Sequence, residues 1–198
     1  GEKSMKRLLS ILFFGLIALT LSFGQLYLDP EASTPDRVAD LLSRMTLAEK
    51  VGQMTQAERS SATPTDVTTY KLGSILSGGG SFPMPNTAET WGSMIDDYQT
   101  AAAATALGIP IIYGHDAVHG VATIYGATVF PHNIGLGAAR DATLMQEIGE
   151  IVASECIGAG INWTFAPAVS VQRDPRWGRY YEGFGEMNEI HNLLVGPM

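Results

Sequence analysis

The chain has 198 residues, one cysteine and a formal net charge of −8. That acidic balance argues against nucleic acid and anionic membrane surfaces as partners and suits a neutral substrate. A single cysteine excludes an internal disulfide.

The first segment reads as a leader. Lys6 and Arg7 precede an apolar run from Leu8 to Leu21, and Ser22-Phe23-Gly24 puts small residues at the −3 and −1 positions before Gln25. This is the layout of a secretory signal peptide over residues 1–24, with four residues ahead of Met5. The run is about fourteen residues, short for a membrane span, although an uncleaved N-terminal anchor is the competing reading. The expectation is a mature chain of residues 25–198 that is secreted or periplasmic and free of the membrane after cleavage.

Residues 34–56 carry a helical pattern, with Val38, Leu41, Leu42 and Met45 at three- and four-residue spacing. Thr46-Leu47-Ala48-Glu49 is a capping box and predicts a second short helix from Thr46. Ser60 to Asp66 reads as a polar loop. Leu72 to Leu76 reads as a buried strand closed by Gly78-Gly79-Gly80, and residues 87–107 as a long helix stopped by Gly108. A second strand is predicted at Ile109–Tyr113. Residues 141–159 form a helix whose expected apolar side is Leu144, Ile148, Ile151, Val152 and Cys156, which makes Cys156 a core residue rather than a nucleophile. A third strand is predicted at Ile161–Ala166, and a last helix from Glu186 to Leu194.

Strands this uniformly apolar, alternating with helices, predict an α/β fold with a parallel sheet. On pattern alone two closures stay open: a doubly wound sheet, of whose phosphate turn Gly78-Gly79-Gly80 is a weak echo, and an eight-stranded barrel. A complete barrel takes about 250 residues, and three strands are counted here.

The polar motifs follow the strands. Ile109–Tyr113 runs into Gly114-His115-Asp116-Ala117-Val118-His119-Gly120, which in a barrel puts Asp116 at the mouth, where a carboxylate can accept two hydroxyl hydrogen bonds. A turn-forming aspartate is the plainer reading. A metal site on His115, Asp116 and His119 is disfavoured, because a zinc pair needs both histidines on one face of a formed helix and a third ligand. His119 and His132 read instead as buried hydrogen-bonding residues. After the third strand comes RDPRWGRYYEGFGE (173–186), six of whose fourteen residues are charged, with four aromatics interleaved. A solvated loop does not need the rings and a core strand does not tolerate the charges, so the mixture predicts a polar, ring-lined pocket. Arg173 and Arg176 can equally pair with Asp174, Glu182 or Glu186 and hold the loop.

Four segments carry a family resemblance: MTLAEKVGQM (45–54), YGHDAVHG (113–120), ATVFPHNIGLGAARD (127–141) and GINWTFAPAVSVQRDPRWGRYYEGFGE (160–186). Collinear over roughly residues 35–190, they resemble the N-terminal domain of family 3 glycoside hydrolases, in the β-glucosidase and exo-β-glucanase branch. The resemblance implies the N-terminal part of a (β/α)8 barrel, incomplete within residues 25–198. It implies that Asp116 and Arg179 bind the terminal glucose of a β-glucoside or β-glucan oligosaccharide, with Glu182 and His119 in support. It implies no metal and no cofactor. The nucleophile, the acid/base and a Lys-His pair of the family are expected beyond Met198, so no catalytic residue is assigned here. The alternative is a non-catalytic sugar-binding relative.

Overall fold

The computed structural model describes residues 24–198. The predicted leader therefore lies outside the described residues, Gly24 apart. The described residues fall into two compact units that part between Lys50 and Val51.

In the first unit, Ser33 caps helix α1 (Thr34–Arg44) by accepting from the Asp36 amide at 3.3 Å. Tyr27 is tied to that helix: its amide donates to Asp40 at 3.1 Å and its carbonyl accepts from Arg37 Nε at 2.9 Å. The predicted capping box forms. The Thr46 amide donates to Glu49 Oε2 at 2.8 Å, and the Glu49 amide to Thr46 Oγ1 at 3.2 Å, opening α2 (Leu47–Gln53).

The second unit is built on four parallel strands: β1 (Gln56–Glu58), β2 (Ser74–Ser77), β3 (Ile112–His115) and β4 (Trp163–Thr164). They lie side by side in chain order. A doubly wound sheet reverses its strand order at a switch point, whereas a barrel proceeds in sequence around its axis. The unbroken order is the barrel's.

Two side chains explain why the observed strands are shorter than predicted. Gln99 takes the place of a strand partner at Ile111, donating to its carbonyl at 2.9 Å and accepting from its amide at 3.0 Å. Asn162 does the same beside β3, accepting from the Tyr113 amide at 2.7 Å and donating to the Ile111 carbonyl at 3.3 Å. Side-chain amides thus satisfy the backbone where ladder bonds were expected. The strand missing from the sequence reading, β1, has only three half-buried or exposed residues and little apolar signal.

Helix α4 (Ala88–Ala103) lays Trp91, Ile95, Tyr98 and Ala102 into the core, and α6 (Ala142–Gly158) contributes Met145, Ile148, Val152 and Cys156. The predicted face of α6 needs correction: Leu144 and Ile151 are 38% and 41% exposed, because the buried stripe runs one position to the side of them. Asp141 caps α6 by accepting from the Thr143 and Leu144 amides at 3.0 and 3.1 Å. Two further helices lie outside the sequence-based expectation. The stretch read as a polar loop ends in α3 (Pro64–Tyr70), opened by a Thr63–Asp66 capping box and anchored by buried Val67. Helix α5 (Asn133–Ala139) carries two glycines in seven residues, which conceals its pattern. The last helix, α7, spans Asn188–Leu194. No helix among the described residues is long and apolar enough to cross a membrane.

Candidate active site

The loops at the C-terminal ends of β2, β3 and β4 converge on an open cleft of about 540 Å³. That end of a parallel sheet is where a barrel carries its chemistry. Gly79 follows β2, and an ideal Cβ built on it would lie 4.0 Å from Asp116 Oδ2, so the glycine loop and the aspartate face each other closely.

Asp116 is the first residue past β3, and the residue before it explains its placement. His115 is fully buried, with Nδ1 facing the Ser77 carbonyl at 3.3 Å and Nε2 facing Thr123 Oγ1 at 2.6 Å. A carbonyl can only accept, so Nδ1 donates and Nε2 receives the threonine proton. Burial pushes His115 below its ordinary value, with the Ser77 contact and Asp116 opposing. With His115 pinned inward, Asp116 emerges exposed at the lip of the cleft.

His119 and His132 are half-buried rather than buried, because both line the open cleft. The His119 ring Nδ1 contacts the Phe130 carbonyl at 2.9 Å, while the Phe130 amide donates to the His119 carbonyl at 2.8 Å. Its ring stacks on His132 with centroids 3.9 Å apart and planes at 34°. His132 meets Tyr181 edge-on at 4.6 Å and 80°. Burial, and next the neighbouring His119, hold His132 below its ordinary value, against the pull of Glu182. His132 Nδ1 is buried without a hydrogen-bond partner. His115 and His119 thus spend their Nδ1 atoms on different carbonyls, and no group of three potential metal ligands occurs among the described residues.

The 173–186 loop forms the other wall. Arg179 grips Glu182 with two parallel bonds, Nε to Oε1 at 2.9 Å and Nη2 to Oε2 at 2.6 Å. The arginine side chain is 67% exposed and the glutamate 14%. This fork holds Glu182 below and Arg179 above its ordinary value, and the charge of Asp116 adds to the effect on Arg179. Arg176 pairs with Asp174 at 2.6 Å, one of the loop-holding pairings anticipated from sequence. Tyr181 is exposed beside the cleft, and Phe184 is buried beneath it.

Two residues anchor the loop from below. Gln172 is fully buried, and its Oε1 accepts from the Gly185 amide at 2.8 Å. A Cβ on Gly183 would fall 1.8 Å from Gln172 Nε2 and 2.4 Å from the Ser170 carbonyl oxygen, so only glycine fits there. Gly137 of α5 likewise lies against the Phe184 carbonyl, 1.7 Å from where its own Cβ would be. That contact brings α5 to the loop, and Asn133 Nδ2 donates to the Glu182 carbonyl at 2.7 Å.

Asp116, His119, Arg179 and Glu182, singled out from sequence, therefore share one cleft. The sequence reading missed Gly79, Tyr181 and Asn133 as site residues. The first two lie within motifs that stand out for other reasons, a glycine run and a charged aromatic block. An apolar hollow of about 280 Å³ between α6 and β4, reaching Cys156 and Trp163, lies elsewhere, and burial pushes the Cys156 thiol above its ordinary value.

Residues 46–198 match the model of the glycosyl hydrolase family 3 N terminal domain. The lysosomal beta glucosidase of Dictyostelium discoideum is 37% identical over 176 residues, covering 79% of this chain and 21% of that protein. The periplasmic beta-glucosidase of Salmonella typhimurium is 35% identical, covering 89% and 22%. Among solved structures, a mutant of the exo-1,3/1,4-beta-glucanase from a Pseudoalteromonas species is 42% identical, with a TM-score of 0.78 over 85% of this chain and 28% of that one. The chain thus spans between about a fifth and just over a quarter of the length of these relatives.

Proposed function

The chain belongs to the family of glycosyl hydrolase family 3 N-terminal domains, and from that premise we propose that it supplies the glucose-holding part of a retaining β-glucosidase. The substrate is a β-glucoside or β-glucan oligosaccharide with a terminal non-reducing β-D-glucosyl residue. The observation that carries this reading is the convergence of Asp116 and the Arg179–Glu182 fork on one polar cleft at the C-terminal ends of the strands.

The chemistry assigns the roles. Asp116, exposed and charged, accepts hydrogen bonds from sugar hydroxyls. Arg179, whose side chain is 67% exposed, donates to them. Such bonds are the stronger for having one charged partner. Glu182 aims the guanidinium, and His119 with His132 forms the floor.

A retaining glycosidase needs two carboxyl groups about 5–5.5 Å apart, one free to attack and one free to exchange a proton. Glu182 spends both oxygens on Arg179, and Asp116 is assigned to hydroxyl binding. Neither carboxylate is therefore part of the reactive pair, which we assign, from the family resemblance, outside these 198 residues. Secretion or a periplasmic location is part of the same reading, supported by the leader-like N-terminus and by a relative described as periplasmic.

The test is Asp116→Ala and Arg179→Ala in the protein that carries this chain, assayed on an aryl β-glucoside. Each variant should lose roughly 10- to 150-fold in kcat/KM, the worth of a charged hydrogen bond, while keeping the parent melting temperature. Full activity in either variant removes that residue from the site. A fully folded protein that binds glucose without hydrolysing any glucoside would favour the non-catalytic sugar-binding alternative.

A further inference from the structure

Arg179 is two-thirds exposed, so its direction depends on what holds Glu182. The Glu182 carboxylate belongs to a single turn of 3-10 helix, Tyr180–Glu182. Within the loop this turn has only short-range support: the Tyr180 amide donates to the Trp177 carbonyl at 3.0 Å and the Glu182 amide to the Arg179 carbonyl at 3.1 Å. Three residues of 3-10 helix are weakly self-supporting. Support from farther away comes from α5, 49 residues earlier in the chain.

There, two consecutive residues hold two consecutive residues of the turn. His132 presses its ring against Tyr181, and Asn133, fully buried, donates its Nδ2 hydrogen to the Glu182 carbonyl at 2.7 Å. His119 stacks on the His132 ring, with centroids 3.9 Å apart. The contact of Gly137 with Phe184 keeps α5 close enough for the short asparagine side chain to reach.

We infer that Asn133, with His132 beside it, is a positioning residue for substrate binding. It touches no sugar. It fixes the Glu182 main chain, Glu182 fixes Arg179, and the guanidinium thereby meets the sugar hydroxyls already oriented. An arginine held in place before binding has less side-chain freedom to lose when the sugar arrives. This inference rests on the assignment of Arg179 to the sugar.

The experiment is a double-mutant cycle in the protein that carries this chain, on an aryl β-glucoside, with thermal melts alongside. Asn133→Ala should lower kcat/KM by about tenfold, chiefly through KM, as expected for one lost hydrogen bond to the clamp. In an Arg179→Lys background, where the fork to Glu182 is already gone, the same substitution should have little further effect on KM. Its effect on the melting temperature should be similar in both backgrounds. An equal loss in kcat/KM in both backgrounds would make Asn133 merely structural and overturn the inference, as would an unchanged KM in Asn133→Ala. Asn133→Leu keeps the same branched heavy-atom skeleton without the donor and carries the same expectations should the alanine variant not fold. Failure of the Arg179 assignment itself is read separately, from full activity in Arg179→Ala.

Discussion

Two polar regions of the second unit use hydrogen bonds in opposite ways. Between β2 and β3 the polar groups are closed on one another: Ser77 and Tyr113 share a hydroxyl–hydroxyl bond at 2.6 Å, and both nitrogens of His115 have partners. Burial pushes the Tyr113 hydroxyl up to about 12, so it stays protonated. Around the cleft the groups are held by backbone on one side and left incomplete on the other. His132 Nδ1, Asn133 Oδ1 and Gln172 Nε2 are all buried without a partner. The first region spends its bonding capacity on stability. The second holds the two-thirds-exposed Arg179 against a mostly buried Glu182 carboxylate in a fixed place.

Four measurements break or sharpen that contrast. The largest effect is expected from Gly137→Ala, whose added methyl meets the Phe184 carbonyl. It should destabilise the fold by about 3 kcal/mol or more in a thermal or denaturant melt, and a parent-like stability would mean that α5 does not set the cleft wall. Next, Tyr113→Phe leaves the buried Ser77 hydroxyl without its partner and should cost about 1–3 kcal/mol, with kcat/KM unchanged. A loss of activity there would couple the closed region to the cleft.

A smaller effect comes from pH. His132 is held below its ordinary value, mainly by burial and next by His119, with Glu182 opposing and the Tyr181 ring at its edge. The unfolded chain therefore takes up its proton at higher pH than the folded one. The contribution is fully present above the ordinary histidine value of about 6.5 and is lost as pH falls toward the folded value. His132→Gln should flatten the stability profile across that window, and an unchanged slope would assign the slope to other groups. The smallest effect is Arg176→Ala. Its partner Asp174 is half-exposed and Arg176 almost wholly so, so the melting temperature should not shift measurably.

The sequence disclosed these regions unequally. The alternation of buried strands and helices was readable because it depends on local pattern, and so was the Thr46–Glu49 capping box, whereas the caps of the three longest helices, Ser33, Thr87 and Asp141, were not singled out. Asp116 and Arg179 were singled out by the family resemblance, and the structure brings both to one cleft. Strand ends were not, because Gln99 and Asn162 replace ladder bonds from a distance in sequence. Helix α3 hid behind polar residues and α5 behind its glycines. Asn133 gave no signal, since its partner is a main-chain oxygen and a carbonyl has no residue type.

The glycine at 137 has a mechanical consequence. A helix that touches a strand or loop through side chains can roll on them, because rotamers give way. Here a helix backbone rests directly on a loop carbonyl, with nothing deformable between the two. A shift of the loop would then press on α5 directly. The grip is gauged by the spacing of two main chains rather than by the pliancy of any side chain.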